Sequence, residues 1–496
     1  MRSHSACLRP FMIRLLALAI LATLLAPFAD AADRPPNIIV FLADDLGAHD
    51  LGCMGSTFYE TPNIDRLASQ GARFTQGYAA CPVCSPTRAA LMTGKWPVRT
   101  GVTDYIGGPQ PDNWNRNTKL LSAPYQTFLD LKETTLAEVC KSAGYATIHA
   151  GKWHLGPEDN WPEHQGFDVN KGGHSAGGPY GPGKYFSPYG NPRLEDGPTG
   201  EHLPDRLARE CSAFIRANRD KPFYVNFWTY DVHTPLMARK DLQEKYEAKR
   251  KKLGLEPKYG REGLRDVRLV QEHAVYAAMV EAMDDAVGQV LKTLDELKVA
   301  DNTLVIFTSD NGGLSTSEGW PTSNLPLRGG KGWLYEGGIR VPLIVRWPGV
   351  AKPGAVVDTP AITPDIFATA AAAVGKPTKS DGIDLRPIIK GEPGPDRALY
   401  WHYPHYGNQG GAPGSAIRSG DFKLIAWEEG GLELFNLKAD PSEKSPVKDP
   451  AKMSELVEQL ILWKEQVGAK TPAQNPAYDP AKPNGRGAKN PTERGA

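Results

Sequence analysis

The strongest constraint on the fold is a repeated alternation: a short apolar run, a stop at polar residues or glycine, then a stretch with helical spacing. NIIVFLADDLG (37–47) opens the series. Its apolar run is continuous, as in a strand buried on both faces of a parallel sheet. TPNIDRLASQG follows, with Thr61 at the N-cap, Pro62 at the first helical position and Gly71 as the stop. ARFTQGY reads as a strand. TTLAEVCKSAG reads as a helix with a capping box from Thr135 to Glu138, and YATIHAGKWHLG as a strand running into a loop. LPDRLARECSAFIRAN and PFYVNFWTYDVHTP repeat the pair, as do the long helix VQEHAVYAAMVEAMDDAVGQVLKTLDELKV and the strand NTLVIFTSDNGG. A further strand (RVPLIVRWPG) and helix (ITPDIFATAAAAVG) complete it. The prediction is an α/β fold with a large mixed, mainly parallel sheet sandwiched by helices. After about residue 386 the pattern changes to RALYWHYPHY, FKLIAWEE and LELFNL, short strands joined by turns and closed by the helix DPAKMSELVEQLILWKEQVG. This predicts a smaller C-terminal α+β domain with an antiparallel sheet.

With 496 residues, the chain is too long for one compact core. The expected organisation is a catalytic α/β domain over 32–385, the smaller domain over 386–470 and an extended or disordered tail over 471–496. Segments 155–200 and 237–266 read as insertions. Residues 1–31 read as a signal peptide: Arg2, Arg9 and Arg14 precede the apolar stretch Leu15–Leu25, which is short for a bilayer span, and Ala29-Asp30-Ala31 fits the cleavage rule. The mature protein is therefore expected to be exported, periplasmic or secreted, with no stable membrane insertion. Lys and Arg total 57, as do Asp and Glu, so no global charge draws the chain to nucleic acid. Five cysteines follow the leader, too few for a disulfide scaffold and odd in number. Cys81 and Cys84 form a Cys-x-x-Cys that runs directly into Ser-Pro-Thr-Arg; zinc half-site, redox pair, core and catalytic readings all stay open for it.

In open α/β sheets, chemistry gathers at the carboxyl ends of the strands. Here those ends carry Asp44-Asp45, Asp310-Asn311, Lys152 with His154, and His233. Each alone is as well explained by a cap or a turn. Together they say more, because adjacent aspartates repel unless a cation neutralises them. An all-oxygen set suits Ca²⁺ or Mg²⁺ rather than zinc. Arg88, Lys152 and Lys331 add positive charge nearby. A metal with convergent cations fits a small tetrahedral oxyanion ester, sulfate or phosphate.

Cys84-Ser85-Pro86-Thr87-Arg88, followed by Leu91-Met92-Thr93-Gly94, resembles the Cys-x-Pro-x-Arg signature of the sulfatase family. ADDLG (43–47), GKWHLG (151–156), HTP (233–235), SDNGG (309–313), LRGGKGWLYEGGIRVP (327–342) and ELFNLKADPSEK (432–443) resemble family segments in family order, over nearly the whole mature chain. The resemblance implies that Cys84 is oxidised to formylglycine by a separate maturation enzyme. The hydrated aldehyde has two hydroxyls: one attacks sulfur, and the other, once deprotonated, expels sulfate and restores the aldehyde. A thiolate would leave a thiosulfate ester with no such exit. It also implies that Asp44, Asp45, Asp310 and Asn311, with the residue-84 oxygen, bind one calcium ion, Mg²⁺ being the other candidate. Arg88 is expected to hold the hydrate. Lys152 and His154 are expected to contact formylglycine, with His154 as base for the elimination. His233 and Lys331 are expected to grip the sulfate, with His233 as general acid. Cys81 reads as a small core residue, since a disulfide to Cys84 would block the modification.

The nearest rival is a phosphate or phosphonate ester hydrolase of the alkaline phosphatase superfamily. A binding protein without activity and a Cys-x-x-Cys redox protein rank lower, because every motif position is kept and the Asp-Asp and Asp-Asn strand ends would have no role. The expected substrate is a sulfated small molecule or glycan. His164, His174, Lys184 and Arg193, or His402 and His405 in WHYPHY (401–406), read as a candidate wall around an anionic sugar.

Overall fold

The computed structural model describes residues 34–482; the signal-peptide segment lies outside the described residues. The central sheet contains β1 (Asn37–Ala43), β2 (Ala72–Phe74), β3 (Ala146–Gly151), β4 (Val169–Lys171), β5 (Phe223–Trp228), β6 (Thr303–Ser309), β7 (Leu343–Arg346) and β8 (Ala355–Val357). Their order across the sheet is β8-β2-β7-β6-β1-β5-β3-β4. Only β7 runs antiparallel to its neighbours.

The continuous apolar run of β1 has a direct cause. Successive side chains of a strand point to opposite faces, and both faces here are covered. Ile39 and Phe41 pack with helices α1 (Pro62–Ser69), α4 (Leu203–Ala217) and α5 (Ala274–Glu296), through Leu67, Leu207 and Met283. Ile38, Val40 and Leu42 pack with α2 (Cys84–Thr93), α3 (Leu136–Ser142) and α6 (Thr363–Ala373), through Leu91, Val139 and Phe367. The expected capping box forms: Thr135 Oγ1 accepts from the Glu138 N–H and Glu138 accepts from the Thr135 N–H. The segment read as a polar insertion holds a helix, Lys240–Leu253, and a hairpin of Tyr259–Glu262 with Arg265–Arg268.

The small sheet is an antiparallel meander of β9 (Leu399–Tyr403), β10 (Gly414–Ser419), β11 (Phe422–Trp427) and β12 (Leu432–Asn436). Helix α7 (Pro450–Val467), capped by Asp449 and ended by Gly468 at φ +67°, packs on it. Its core is shared with the segment that leads into α2: Tyr78, Cys81 and Val83 pack with Trp401, Ile417, Ile425 and Trp463. Trp401 Nε1 donates to the Ala79 carbonyl at 2.8 Å. Lys423 of β11, fully buried, bridges Glu336 (3.1 Å) and Glu443 (2.8 Å), and Glu336 follows the Lys331 loop by five residues. Of the predicted tail, Ala473–Gln474 is extended and pairs with Leu120–Leu121.

A buried polar group sits inside the α/β core. His149 of β3 stacks edge-on against Trp153 and Trp228. Its Nε2–H donates to the Gly151 carbonyl at 3.1 Å, so Nδ1 accepts from the Asn226 amide at 3.3 Å. Burial, more than any neighbour, pushes its pKa down to about 3. Below pH ~6.5 the unfolded chain binds a proton that the fold refuses, so stability is lost as pH falls from there towards the folded value. At pH 5 the loss from this one side chain is about 2 kcal/mol. His149→Gln should flatten the fall in urea midpoint between pH 7 and pH 5. An unchanged fall would mean that the fold accommodates the imidazolium.

Candidate active site

Register assembles the site. Ala43 of β1 pairs with Ser309 of β6, so Asp44-Asp45 and Asp310-Asn311 leave the sheet side by side. The Asp45 N–H donates to Asp310 Oδ1 at 3.2 Å. β5 flanks β1 on its other side, and the Asp44 N–H donates to the Asp231 carbonyl (2.8 Å), which brings His233 in. β3 lies next, and the Lys152 N–H donates to the Trp228 carbonyl at 2.8 Å. Four adjacent parallel strands therefore end at one place.

Three carboxylates meet three cations there, all nearly or fully buried. Lys152 Nζ lies 2.6 Å from Asp44. Lys331 Nζ lies 2.8 Å from Asp45, with His233 Nε2 at 3.8 Å. Arg88 binds Asp310 through Nε at 2.9 Å and a second nitrogen at 2.7 Å. It also donates to the Lys152 carbonyl at 2.8 Å and lies 5.3 Å from the Trp228 ring centroid. Burial pushes Asp44 up to about 8 against the pull of Lys152; Asp310 and Asp45 add to the rise. Burial pulls Asp45 the same way, but Lys331 and His233 together hold it below the usual carboxylate range.

The set fits a hard divalent cation. Asp44, Asp310 and Cys84 offer ligand atoms within 4.8 Å of one another, as do Asp44, Asp45 and His233. Asp44 Oδ1 and Asn311 Oδ1 are buried oxygens that accept no hydrogen bond. Asn311 has its amide turned to Asp45 Oδ1 (2.9 Å) and the Gly312 carbonyl (3.0 Å), so its oxygen is the end left over. An oxygen lacking a donor is costly unless something positive meets it.

Cys84 is the first residue of α2, whose ten residues are all buried. Val83 at the N-cap offers no side-chain acceptor, so the first helical N–H groups and their positive potential are uncapped from that side. Thr87 braces the turn, its Oγ1 accepting from the Cys81 N–H at 3.1 Å. Cys81 is buried, and Cys53, Cys81, Cys84, Cys140 and Cys211 are all free thiols. Burial raises the Cys84 thiol above its ordinary value, so it is a poor thiolate as it stands.

Cys84, His154, His233 and Lys331 line one cavity of about 270 Å³. His154 does not bond to Cys84: its Nε2–H donates to the Ile106 carbonyl (2.8 Å), and Nδ1 faces Ser85 Oγ (3.3 Å). Gly177 lies so close to this ring that a Cβ there would meet it at 2.7 Å. Burial and the charge of Lys152 push His154 well below its ordinary pKa; burial and Lys331 push His233 down to about 3. Both imidazoles are neutral near pH 7. Asp45 (φ +64°) and His154 (φ +57°) occupy the left-handed region that non-glycine residues avoid, a pattern concentrated at functional sites.

The expected sugar wall is placed differently. His402 is buried, bonded to Ser415 Oγ and the Lys470 carbonyl at 2.8 Å each, and His405 is buried against Thr103 Oγ1 at 3.0 Å. Neither lines the cavity: His402 is on the face of β9 opposite the core residues Trp401 and Tyr403, and His405 lies beyond the end of that strand. Arg193 is taken up by Glu163 and the Trp161 ring. His174 and Lys184 line a second cavity of about 260 Å³ that meets the first at Tyr180. The cavity wall missed from sequence is Tyr105, Tyr180, Glu318, Asn408 and Gln409. The only sequence signal for Glu318 is its position shortly after a strand end that carries Asp310.

Residues 36–376 match the Sulfatase family profile, and residues 330–469 match the profile described as N-sulphoglucosamine sulphohydrolase, C-terminal. The chain belongs to the sulfatase family. It is 32% identical over 458 residues to human steryl-sulfatase, covering 75% of this chain and 73% of that one. It is 32% identical over 489 residues to a sulfatase of Formosa agariphila, covering 83% and 84%. Among solved structures, Ps i-CgsB in complex with k-i-k-neocarrahexaose superposes with a TM-score of 0.71 at 28% identity, covering 87% of this chain and 93% of that one. The sulfatase assignment makes the chain a sulfuric ester hydrolase. Among the described residues, no helix is long and apolar enough to cross a membrane.

If the four oxygen-bearing side chains hold a cation, Ca²⁺ should raise the thermal midpoint of this sulfatase and a chelator should reverse it. The gain should approach ~2.7 kcal/mol at a hundredfold excess over Kd. Asn311→Leu should blunt the response. An identical midpoint for the wild-type protein in Ca²⁺, Mg²⁺ and chelator would contradict cation binding.

Proposed function

We propose that this sulfatase hydrolyses sulfate esters of carbohydrates with a formylglycine made from Cys84 and one bound Ca²⁺, as an exported enzyme with a cleaved leader over 1–31. The observation that carries the reading is the position of Cys84, at the head of a buried helix, within ligand distance of Asp44 and Asp310 and at the wall of a cavity shared with two histidines and Lys331. Formylglycine supplies a hydrated aldehyde as nucleophile, and Ca²⁺ held by Asp44, Asp45, Asp310 and Asn311 supplies charge that favours its deprotonation. The carbohydrate part is supported by the sugar named with the Ps i-CgsB structure.

The remaining roles follow from the protonation states. Lys152 and Lys331 are each held above the ordinary lysine value: burial opposes their charge most strongly, but the surrounding acidic groups, led by Asp44 and Asp45 respectively, together outweigh it. They therefore stay charged and stabilise negative charge on the transferred group. His154 keeps its proton on Nε2, which leaves Nδ1 as the nitrogen able to accept one, consistent with a base. His233 donates from Nδ1 to the Thr234 carbonyl at 2.6 Å, so Nε2 is the nitrogen with a free lone pair. It becomes an acid for the leaving alcohol only after gaining a proton, which an anionic ester entering beside Lys331 favours by offsetting the positive charge that depresses it.

The rival, a phosphate or phosphonate ester hydrolase, is less well supported because the acidic cluster gathers around a single place, with two lysines and one histidine, His233, beside it rather than the several histidines of a two-zinc site. Matched 4-nitrophenyl sulfate and phosphate, together with sulfated oligosaccharides, separate the two. Protein matured by a formylglycine-generating enzyme should release sulfate from aryl and glycan esters, and Cys84→Ala should abolish it. Faster turnover of the phosphate ester would overturn the assignment.

A further inference from the structure

We propose that Glu318, presented with Asn408 and Gln409, recognises the alcohol half of the ester, accepts hydrogen bonds from sugar hydroxyls beside the reacting sulfate and discriminates against a second sulfate there. This rests on the sulfatase reading and goes beyond it to the substrate's charge pattern.

Glu318 lines the cavity that holds Cys84, His233 and Lys331, on the loop that leaves the Asp310-Asn311 strand end. It adopts φ +53°, a conformation a non-glycine residue keeps only when its surroundings impose it. Its Oε1 accepts from Asn408 Nδ2 and Gln409 Nε2, both at 2.9 Å. These two bonds orient the carboxylate and occupy one oxygen, while the other takes no donor among the described residues. Gln409 is 4% exposed, and its Oε1, shut off from solvent, has no hydrogen-bond donor. That oxygen lies against Gly332, where a Cβ would meet it at 2.6 Å, and so beside Lys331. The segment is anchored independently, because the Gln409 carbonyl accepts from Thr316 Oγ1 at 2.9 Å and Trp333 Nε1 at 3.1 Å.

The wall beside the sulfate position thus offers a charged acceptor, the Glu318 carboxylate. Acceptors in a cavity call for O–H or N–H donors, and a carboxylate repels another anion at close range. Tyr180, a residue 61% exposed whose ring stands edge-on to His233, adds an aromatic face of the kind that packs on a sugar ring. A neutral, hydroxyl-rich ring bearing one sulfate meets all of these demands; a ring with a neighbouring sulfate does not.

The test compares kcat/KM for a monosulfated sugar and its vicinally disulfated counterpart, with 4-nitrophenyl sulfate as a third substrate, in the matured wild-type enzyme and in Glu318→Gln. Wild type should prefer the monosulfated sugar, and Glu318→Gln should cut that preference about tenfold, ~1.4 kcal/mol. Asn408→Ala, which removes one donor that orients the carboxylate, should move the ratio the same way by less. Equal losses on all three substrates would overturn the proposal, as would a wild-type preference for the disulfated sugar. Turnover of the aryl sulfate alone would overturn it while leaving the sulfatase reading intact. No sulfate release from any of the three would sink that reading, and this proposal with it.

Discussion

Three buried carboxylates held against three buried cations set the terms for everything else at the strand ends. Asp44, Asp45 and Asp310 are matched by Lys152, Lys331 and Arg88, so the cluster is formally neutral within itself. Charges so deeply buried survive only when paired. The arrangement would also let one place serve a cation and an anion together. A divalent cation on the carboxylates would compete with the two lysines and leave a positive surplus, which an anionic ester would satisfy. The oxygens of Asp44 and Asn311 that accept no hydrogen bond mark where the pairing is incomplete.

The nucleophile position depends on the small C-terminal sheet as much as on the large one. Residues just before α2 are packed against Trp401, Ile417 and Trp463, and the segment after Lys331 is tied to β11 through Glu336 and Lys423. Lys423 also holds Glu443, so removing it would leave two buried carboxylates facing each other with Arg340, 3.7 Å from Glu336, as the remaining ion pair. The C-terminal region therefore braces the Cys84 and Lys331 sides of one cavity.

Much of this was legible in the sequence because it rests on local rules. The two-faced burial of β1 is written in its unbroken apolar run, the start of α3 in Thr135 and Glu138, and the carboxylate cluster in the Asp-Asp and Asp-Asn pairs that stop two strands. A mainly parallel sheet was implied once its strands were read as buried, whereas the pairing and register of β1 with β6 were not. What was not legible depends on how loops fold back. His402 and His405 looked like a sugar wall, but the fold buries them against Ser415, Lys470 and Thr103. Glu318, Tyr180 and Gln409 carry no motif and reach the cavity only through long loops. The protonation states of His154 and His233 depend on burial and on lysines distant in sequence.

The central claim, that Cys84 is the precursor of the nucleophile, is tested most directly by the mass of the tryptic peptide Phe74–Arg88 from protein made in a host with a formylglycine-generating enzyme. The account predicts a residue at position 84 that is lighter than cysteine and reactive toward hydrazides. An unmodified Cys84, from a host shown to mature other such motifs, would contradict it.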